Sequence, residues 1–464
     1  MADILLLSLN FPPDGVSTAH LMGDLSEDLI AAGHSVTVLT TKPHGNIDEV
    51  ARASQPIRPL LGGVIGRSRY KGAIVYHCFI PKKSPTRAKR VLAWAVFHLI
   101  SSLAGFVLRF KADVILTLSP PLTMGVGAWL LGLRHRAPFV YSVQELFPDV
   151  AIEMGLIENK ALIRASLAME QFVYRKARHI TAITPGIRRA IVQKGVPESK
   201  VVHIPNWVDV EEFRPSPKSN HFSREHEIED AFVITYAGNF GLAQSLDDLL
   251  DAARLVEGVK DIRFLLVGGG VEKSRIDALA KDLINVIVLP YQPYQLMPDI
   301  YASSALSYVP LPSGLGSAAM PSKVYKIMSS GRAVLAQASE DSDLALLVRG
   351  AECGFVVGPG SPSALADVIL EAYFDRQRTK VLGEAGRTYV EEEASRRAHC
   401  DPVFETDRRG HIVSGARGFS TYASRFQPCS QTGPIRPGFG GLNSIELSIL
   451  TNVPATSRPP RQGS

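Results

Sequence analysis

The 464-residue chain carries 50 Lys and Arg against 45 Asp and Glu, and with 45% apolar and 20% charged residues it is globular rather than disordered or collagen-like. Residues 396–464 hold nine Arg, no Lys and four acids, so residues 1–395 balance at 41 charges of each sign, which excludes nucleic-acid binding through a broad phosphate-neutralising surface. Four scattered cysteines, Cys78, Cys353, Cys400 and Cys429, fit neither a zinc spacing nor a disulfide framework, so reduced thiols in the cytosol are expected.

The length leaves room for two α/β domains and some further chain. The opening predicts a strand over 4–9, a loop through Asn10, Pro12 and Pro13, a helix over 19–32 stopped by Gly33, and a strand over 35–40. That is a βαβ unit starting on a first strand rather than a signal peptide. Short apolar runs without alternation suit parallel strands covered on both faces.

Residues 91–108 are apolar apart from His98 and two Ser, and Lys82, Lys83, Arg87, Lys89 and Arg90 precede them. The stretch is borderline for spanning a bilayer. Its place before a strand over 113–118 favours a helix partly packed on a sheet, with its basic flank drawn to an anionic leaflet. Strands at 139–143 and 179–183 and a helix over 161–176 continue the first domain.

Near residue 205 the pattern restarts. Strands are expected at 233–237, 263–267, 285–289, 305–309, 333–336 and 354–357, with helices over 245–255, 323–329 and 363–375. The fold class is therefore α/β, with two Rossmann-like domains facing across a cleft. The expected boundaries are 1–205, 206–382, a return helix over 383–400, and a disordered tail over 401–464, where Gly, Pro, Ser, Thr and Arg dominate.

Three stretches resemble glycosyltransferase family 4, whose fold is GT-B. Asn10-Phe11-Pro12-Pro13-Asp14-Gly15-Val16-Ser17 with Gly33-His34-Ser35-Val36 is similar to the family's N-terminal loop, helix and strand. Ile204-Pro205-Asn206-Trp207-Val208-Asp209 through Phe213 and Pro215 is similar to its interdomain signature, and its Pro and Asn also suit a rigid crossover. The third stretch runs from Tyr236 to Leu246, through Val267-Gly268-Gly269-Gly270, to Pro321-Ser322-Lys323-Val324-Tyr325-Lys326 and Arg332. It is similar to the donor half of a bacterial polysaccharide subgroup that includes fucosamine and colanic acid transferases.

The resemblance implies a nucleotide-sugar donor held by Gly238, Asn239, Gly241, Gln244, Gly268, Ser322, Lys323, Tyr325 and Arg332. It places Gly15 and Val16 in an acceptor-side loop, and Glu145 and Asp149 as catalytic carboxylates in a segment similar to the subgroup's DxxDLWPD. Independently of it, Gly238 and Gly241 let backbone approach a diphosphate, and a helix start near Ser245 offers free N–H groups. Ser322 reads equally as a helix N-cap. Glu145 would position or deprotonate the acceptor, or balance charge at the anomeric carbon in a retaining transfer.

The chain departs from the family where Asn239 and Gln244 stand in place of Arg and Lys, and where Ala318 and Lys326 stand in place of two Glu. Lys323, Arg332 and backbone donors are then left to hold the diphosphate. The function implied is hexosyl transfer, with retention, to a polyprenyl-diphosphate-linked or glycan acceptor in surface polysaccharide assembly. The protein would be cytoplasmic and peripheral at the inner membrane surface, and no cofactor, metal or nucleic acid is expected. A sugar-nucleotide 2-epimerase and a non-catalytic sugar-nucleotide-binding scaffold are the alternatives.

Overall fold

The computed structural model describes residues 1–81, 87–241, 244, 246–396, 405–406 and 412–413. Lys82, Lys83, Ser245, Cys400, Cys429 and most of the segment expected to be disordered lie outside them. In that segment a short antiparallel ladder pairs Glu405–Thr406 with Ile412–Val413.

The first sheet has nine strands: β1 (Asp3–Leu7), β2 (Ser35–Thr41), β3 (Arg58–Leu60), β4 (Ile65–Tyr70), β5 (Ala73–Cys78), β6 (Val114–Ser119), β7 (Phe139–Val143), β8 (His179–Ala182) and β9 (Val201–His203). Their order is β3-β4-β5-β2-β1-β6-β7-β8-β9. The second sheet contains β10 (Phe232–Asn239), β11 (Ile262–Gly269), β12 (Val286–Leu289), β13 (Leu306–Pro310), β14 (Ala333–Gln337) and β15 (Gly354–Val357), in the order β12-β11-β10-β13-β14-β15.

Every pair in the second sheet is parallel, and only β3, β4 and β5 are antiparallel in the first. The crossovers are helical, so both faces are covered, and central strands such as β1, β6, β10 and β13 are buried along nearly their whole length. On β1, Leu5 and Leu7 pack into one core while Ile4 and Leu6 pack into another on the opposite face. On β10, Phe232, Ile234 and Tyr236 face one core. Val233 and Ala237 face a second, which is continuous with the first domain.

The antiparallel β3–β4–β5 edge was not expected from sequence. Its strands carry exposed Arg58 and Arg67 and turn at Gly62 and Gly63, both at positive φ, so they lack the long apolar run that marks the parallel strands.

The helix Arg376–Glu393 begins before the expected boundary at 383 and packs on the second sheet and on the helix Lys323–Ser329. The reason is its glycines. A Cβ at Gly383 would lie 2.4 Å from the carbonyl of Gly331, and one at Gly386 would meet Cys353 and Met328, so the helix seats closely on its own domain. Contact with the first domain comes just beyond its end. The Arg396 guanidinium reaches Asp28, Glu27 and Asp24 on the helix Ser17–Ala31, beside a bridge between Ser395 and Val208 of the crossover. Among the described residues no helix is long and apolar enough to cross a membrane.

Candidate functional site

The carboxyl ends of β10 and β11 carry glycines in register, Gly238 opposite Gly268. Both lie in the left-handed region, with φ of 151° and 154°. A Cβ on Gly268 would stand 1.8 Å from the Gly238 carbonyl, so no other residue fits there. The following loop is closed by its own polar side chains. Gly241 donates its amide to Gln244 Oε1 at 3.1 Å, and the Tyr236 hydroxyl donates to the Asn239 carbonyl at 2.7 Å. The Tyr291 hydroxyl spans both loops, donating to the Gly269 carbonyl at 2.8 Å.

Lys323 opens the helix Lys323–Ser329 beside this pair of glycines, and a Cβ at Gly238 would lie 2.7 Å from its ammonium. The ammonium sits 3.9 Å from the centroid of the Tyr236 ring. Among the described residues no carboxylate pairs with it, and burial draws its pKa down to about 7. Ser322, at the N-cap position, makes no side-chain cap bond. Instead it lines a cavity between the domains, together with Ser17, His20, Trp207, Tyr294 and Lys326.

The remaining expected donor residues are placed elsewhere. Tyr325 is buried in the core. Arg332 precedes the amino end of β14, the opposite end from the Gly238 and Gly268 loops, and donates to the Ser216 carbonyl at 2.7 Å. The motif suggested a phosphate ligand, but the strand direction carries the guanidinium away from that end of the sheet.

Lys326, which replaces a family carboxylate, donates to the Tyr294 hydroxyl at 3.1 Å and faces the rings of Tyr294 and Phe213. Burial lowers its pKa to about 8 against the opposing pull of Glu212 and Asp24. The first-domain His20 stacks on Tyr294 with ring centroids 3.9 Å apart, and burial, with Lys326 adding to it, holds its pKa at about 3.

On the first domain, Glu145 follows β7 and forms an isolated bridge with Ala319 of the second domain, while Leu146 donates its amide to the Ala318 carbonyl at 2.9 Å. Burial raises the Glu145 pKa. Asp149, four residues on, is paired with Lys194, which also donates to the buried Glu170 at 2.7 Å. Its carboxylate is thus engaged in a structural ion pair.

Gly15 donates to the carbonyl of Asn46 at 2.8 Å and approaches it so closely that a Cβ would lie 2.4 Å away; Val16 then caps the helix Ser17–Ala31. Asp14 fixes this loop by accepting from the amides of His44 and Gly45, each at 2.8 Å. No motif in the sequence marks His20, Asp343 or Arg396. Each acts through partners distant in the chain, and no local spacing marks them.

Residues 18–207 match the family described as Glycosyl transferase 4-like domain, and residues 231–375 match Glycosyl transferases group 1. The chain is 26% identical over 344 residues to the putative colanic acid biosynthesis glycosyl transferase WcaI of Escherichia coli (strain K12), covering 71% of this chain and 81% of that protein. It is 23% identical over 265 residues to the probable glycosyltransferase WbjE of Pseudomonas aeruginosa, covering 56% of this chain and 66% of that one. Among solved structures it is similar to Anabaena Alr3699/HepE in complex with UDP-glucose. That likeness has a TM-score of 0.65 at 15% identity, covering 86% of this chain and 97% of that one, and it gives the fold as GT-B.

Proposed function

The chain belongs to the two-domain glycosyltransferases of family 4, and from that premise we propose that it moves a hexosyl group, with retention, from a nucleotide-sugar to a lipid-linked or glycan acceptor in surface polysaccharide assembly. The single observation that carries this reading is the half-buried ammonium of Lys323, which has no carboxylate partner among the described residues, beside the in-register glycines. An ammonium held near pKa 7 by burial regains its charge when an anion arrives. Backbone that only glycine can form lets a diphosphate approach closely.

In this reading Lys323 binds the donor diphosphate and stabilises the charge that develops as the nucleoside diphosphate leaves. Glu145, joined to the second domain at Ala319, faces the transferred sugar and steadies positive charge at its anomeric carbon. The acceptor hydroxyl enters from the side of the Gly15 and Val16 loop.

A lipid-linked acceptor calls for a membrane-facing surface. Leu99, Leu103, Phe106 and Val107 form an exposed stripe on the helix Arg87–Val107, at spacings of one and two helical turns. This helix packs against Thr123–His135 so tightly that a Cβ at Gly105 would meet Leu131 at 2.1 Å. Exposed Arg109, Lys111 and Arg136 just beyond the two helices, with Arg134 in the last turn of the second, supply charge for an anionic leaflet.

The test is incubation of the purified chain with UDP-, GDP-, dTDP- and ADP-linked sugars and a bacterial polyprenyl-diphosphate glycan fraction. A lipid product heavier by one sugar residue, formed from one donor family, is expected. Conversion of the donor without acceptor would point to the epimerase instead, and no turnover of any donor would overturn the proposal.

A further inference from the structure

We propose that Asp343 and Gly186 form an interdomain latch that positions the loop carrying Lys323 against Glu145. Thr184, Pro185 and Gly186 open the helix Pro185–Gln193 at the carboxyl end of β8, and Ser342 and Asp343 open the helix Asp343–Gly350 after the carboxyl end of β14. Two helix N-termini from opposite domains therefore meet, and like partial charges at such ends repel.

One carboxylate lies between them. Asp343, buried, accepts the Gly186 amide at 3.1 Å and also takes hydrogen bonds from the hydroxyls of Thr184 and Ser317. Arg189 stands 3.8 Å from its other oxygen. The carboxylate supplies the negative charge both helix ends favour, and the main-chain donor of Gly186 is satisfied across the domain boundary.

Ser317 connects this contact to the site. It directly precedes Ala318 and Ala319, whose backbone meets Leu146 and Glu145, and Ser322 and Lys323 follow a few residues on. The same loop is thus held to the first domain at two places, and Asp343 fixes one of them. Gly186 is required by the close approach: a Cβ there would lie 2.2 Å from Ser317 Cβ and 2.3 Å from Asp343 Oδ2. Asp343 and Gly186 are positioning residues, since they act on Lys323 and Glu145 through this loop.

The test is amide hydrogen exchange on the full chain, with no ligand, in Gly186→Ala, Asp343→Ala and Asp343→Asn. Gly186→Ala and Asp343→Ala are expected to speed exchange at Leu146 and at the start of the helix Pro185–Gln193 by about tenfold or more, while β10 and β11 keep wild-type protection. Asp343→Asn, which keeps an acceptor for the Gly186 amide, is expected to retain most of the protection. If Gly186→Ala exchanges throughout the chain, Asp343→Ala decides.

Wild-type exchange at Leu146 in Asp343→Ala would overturn the latch. The consequence for catalysis rests on the transfer reading above: kcat falls about tenfold in Asp343→Ala, while the nucleotide Kd, set by loops of one domain, stays within about twofold. The exchange result stands or falls without it, so failure of either is told apart.

Discussion

Leu146 of the first domain donates its amide to the Ala318 carbonyl of the second at 2.9 Å, so the segment bearing Glu145 and the loop leading to Lys323 are joined by backbone. Glu145→Gln keeps that backbone and the side-chain shape but removes the charge. We expect kcat to fall about a hundredfold or more, with nucleotide Kd unchanged, as measured by steady-state kinetics and calorimetry. Equal losses in kcat and in nucleotide affinity would place Glu145 on the donor side instead.

The depressed pKa of Lys323 sets a pH dependence. The unfolded lysine titrates near its ordinary value of 10.5 and the folded one near 7, so between these values the unfolded chain binds more protons. This group's contribution to stability therefore rises with pH across that window and is least favourable below pH 7. Binding of a diphosphate runs the other way. Nucleotide affinity weakens as pH rises above about 7, and calorimetry at pH 8 in buffers of different ionisation enthalpy shows proton uptake. In Lys323→Arg the uptake disappears, because a guanidinium stays charged throughout.

Arg396 sits among Asp24, Glu27, Asp28 and Asp209, and burial, partly countered by Arg396 itself, lifts Asp24 to about 6. Arg396→Ala leaves these carboxylates facing one another. A loss of about 2 kcal/mol is expected in urea unfolding at pH 8, smaller at pH 5, where Asp24 is protonated. An unchanged midpoint at both pH values would show that Lys71, which also pairs with Glu27, is sufficient.

For the membrane surface, Leu103→Glu with Phe106→Glu is expected to abolish sedimentation with phosphatidylglycerol vesicles and to leave melting unchanged. Arg134→Ala with Arg136→Ala weakens it by about 1 kcal/mol per cation, and less at high salt. Undiminished sedimentation of the Glu pair would assign the exposed stripe another role.

Much of the fold is legible in the sequence because its parallel strands are buried on both faces. The apolar runs around Leu5, Leu116, Val140, Ile234 and Leu265 signal themselves without alternation. The β3–β4–β5 edge is not legible, since one face of Arg58 to Tyr70 meets solvent and short charged strands resemble loops. In the site, glycines and Lys323 can be singled out because backbone approach and a cation at a helix start have a local pattern. His20, Asp343 and Arg396 have none: their partners Tyr294, Gly186 and Asp28 lie more than 150 residues away. Arg332 is misleading for a related reason, as its end of β14 is known only once the strand direction is fixed.

The most direct test is thermal unfolding of the wild-type chain and Lys323→Met with UDP, GDP, dTDP and ADP and their sugars. One nucleotide family is expected to raise the wild-type Tm and to have no effect on Lys323→Met. The variant alone should melt no lower than wild type, because it loses a cation that has no carboxylate partner among the described residues. A full nucleotide shift retained by Lys323→Met, or no shift of the wild type with any of them, would contradict the donor-binding role of Lys323.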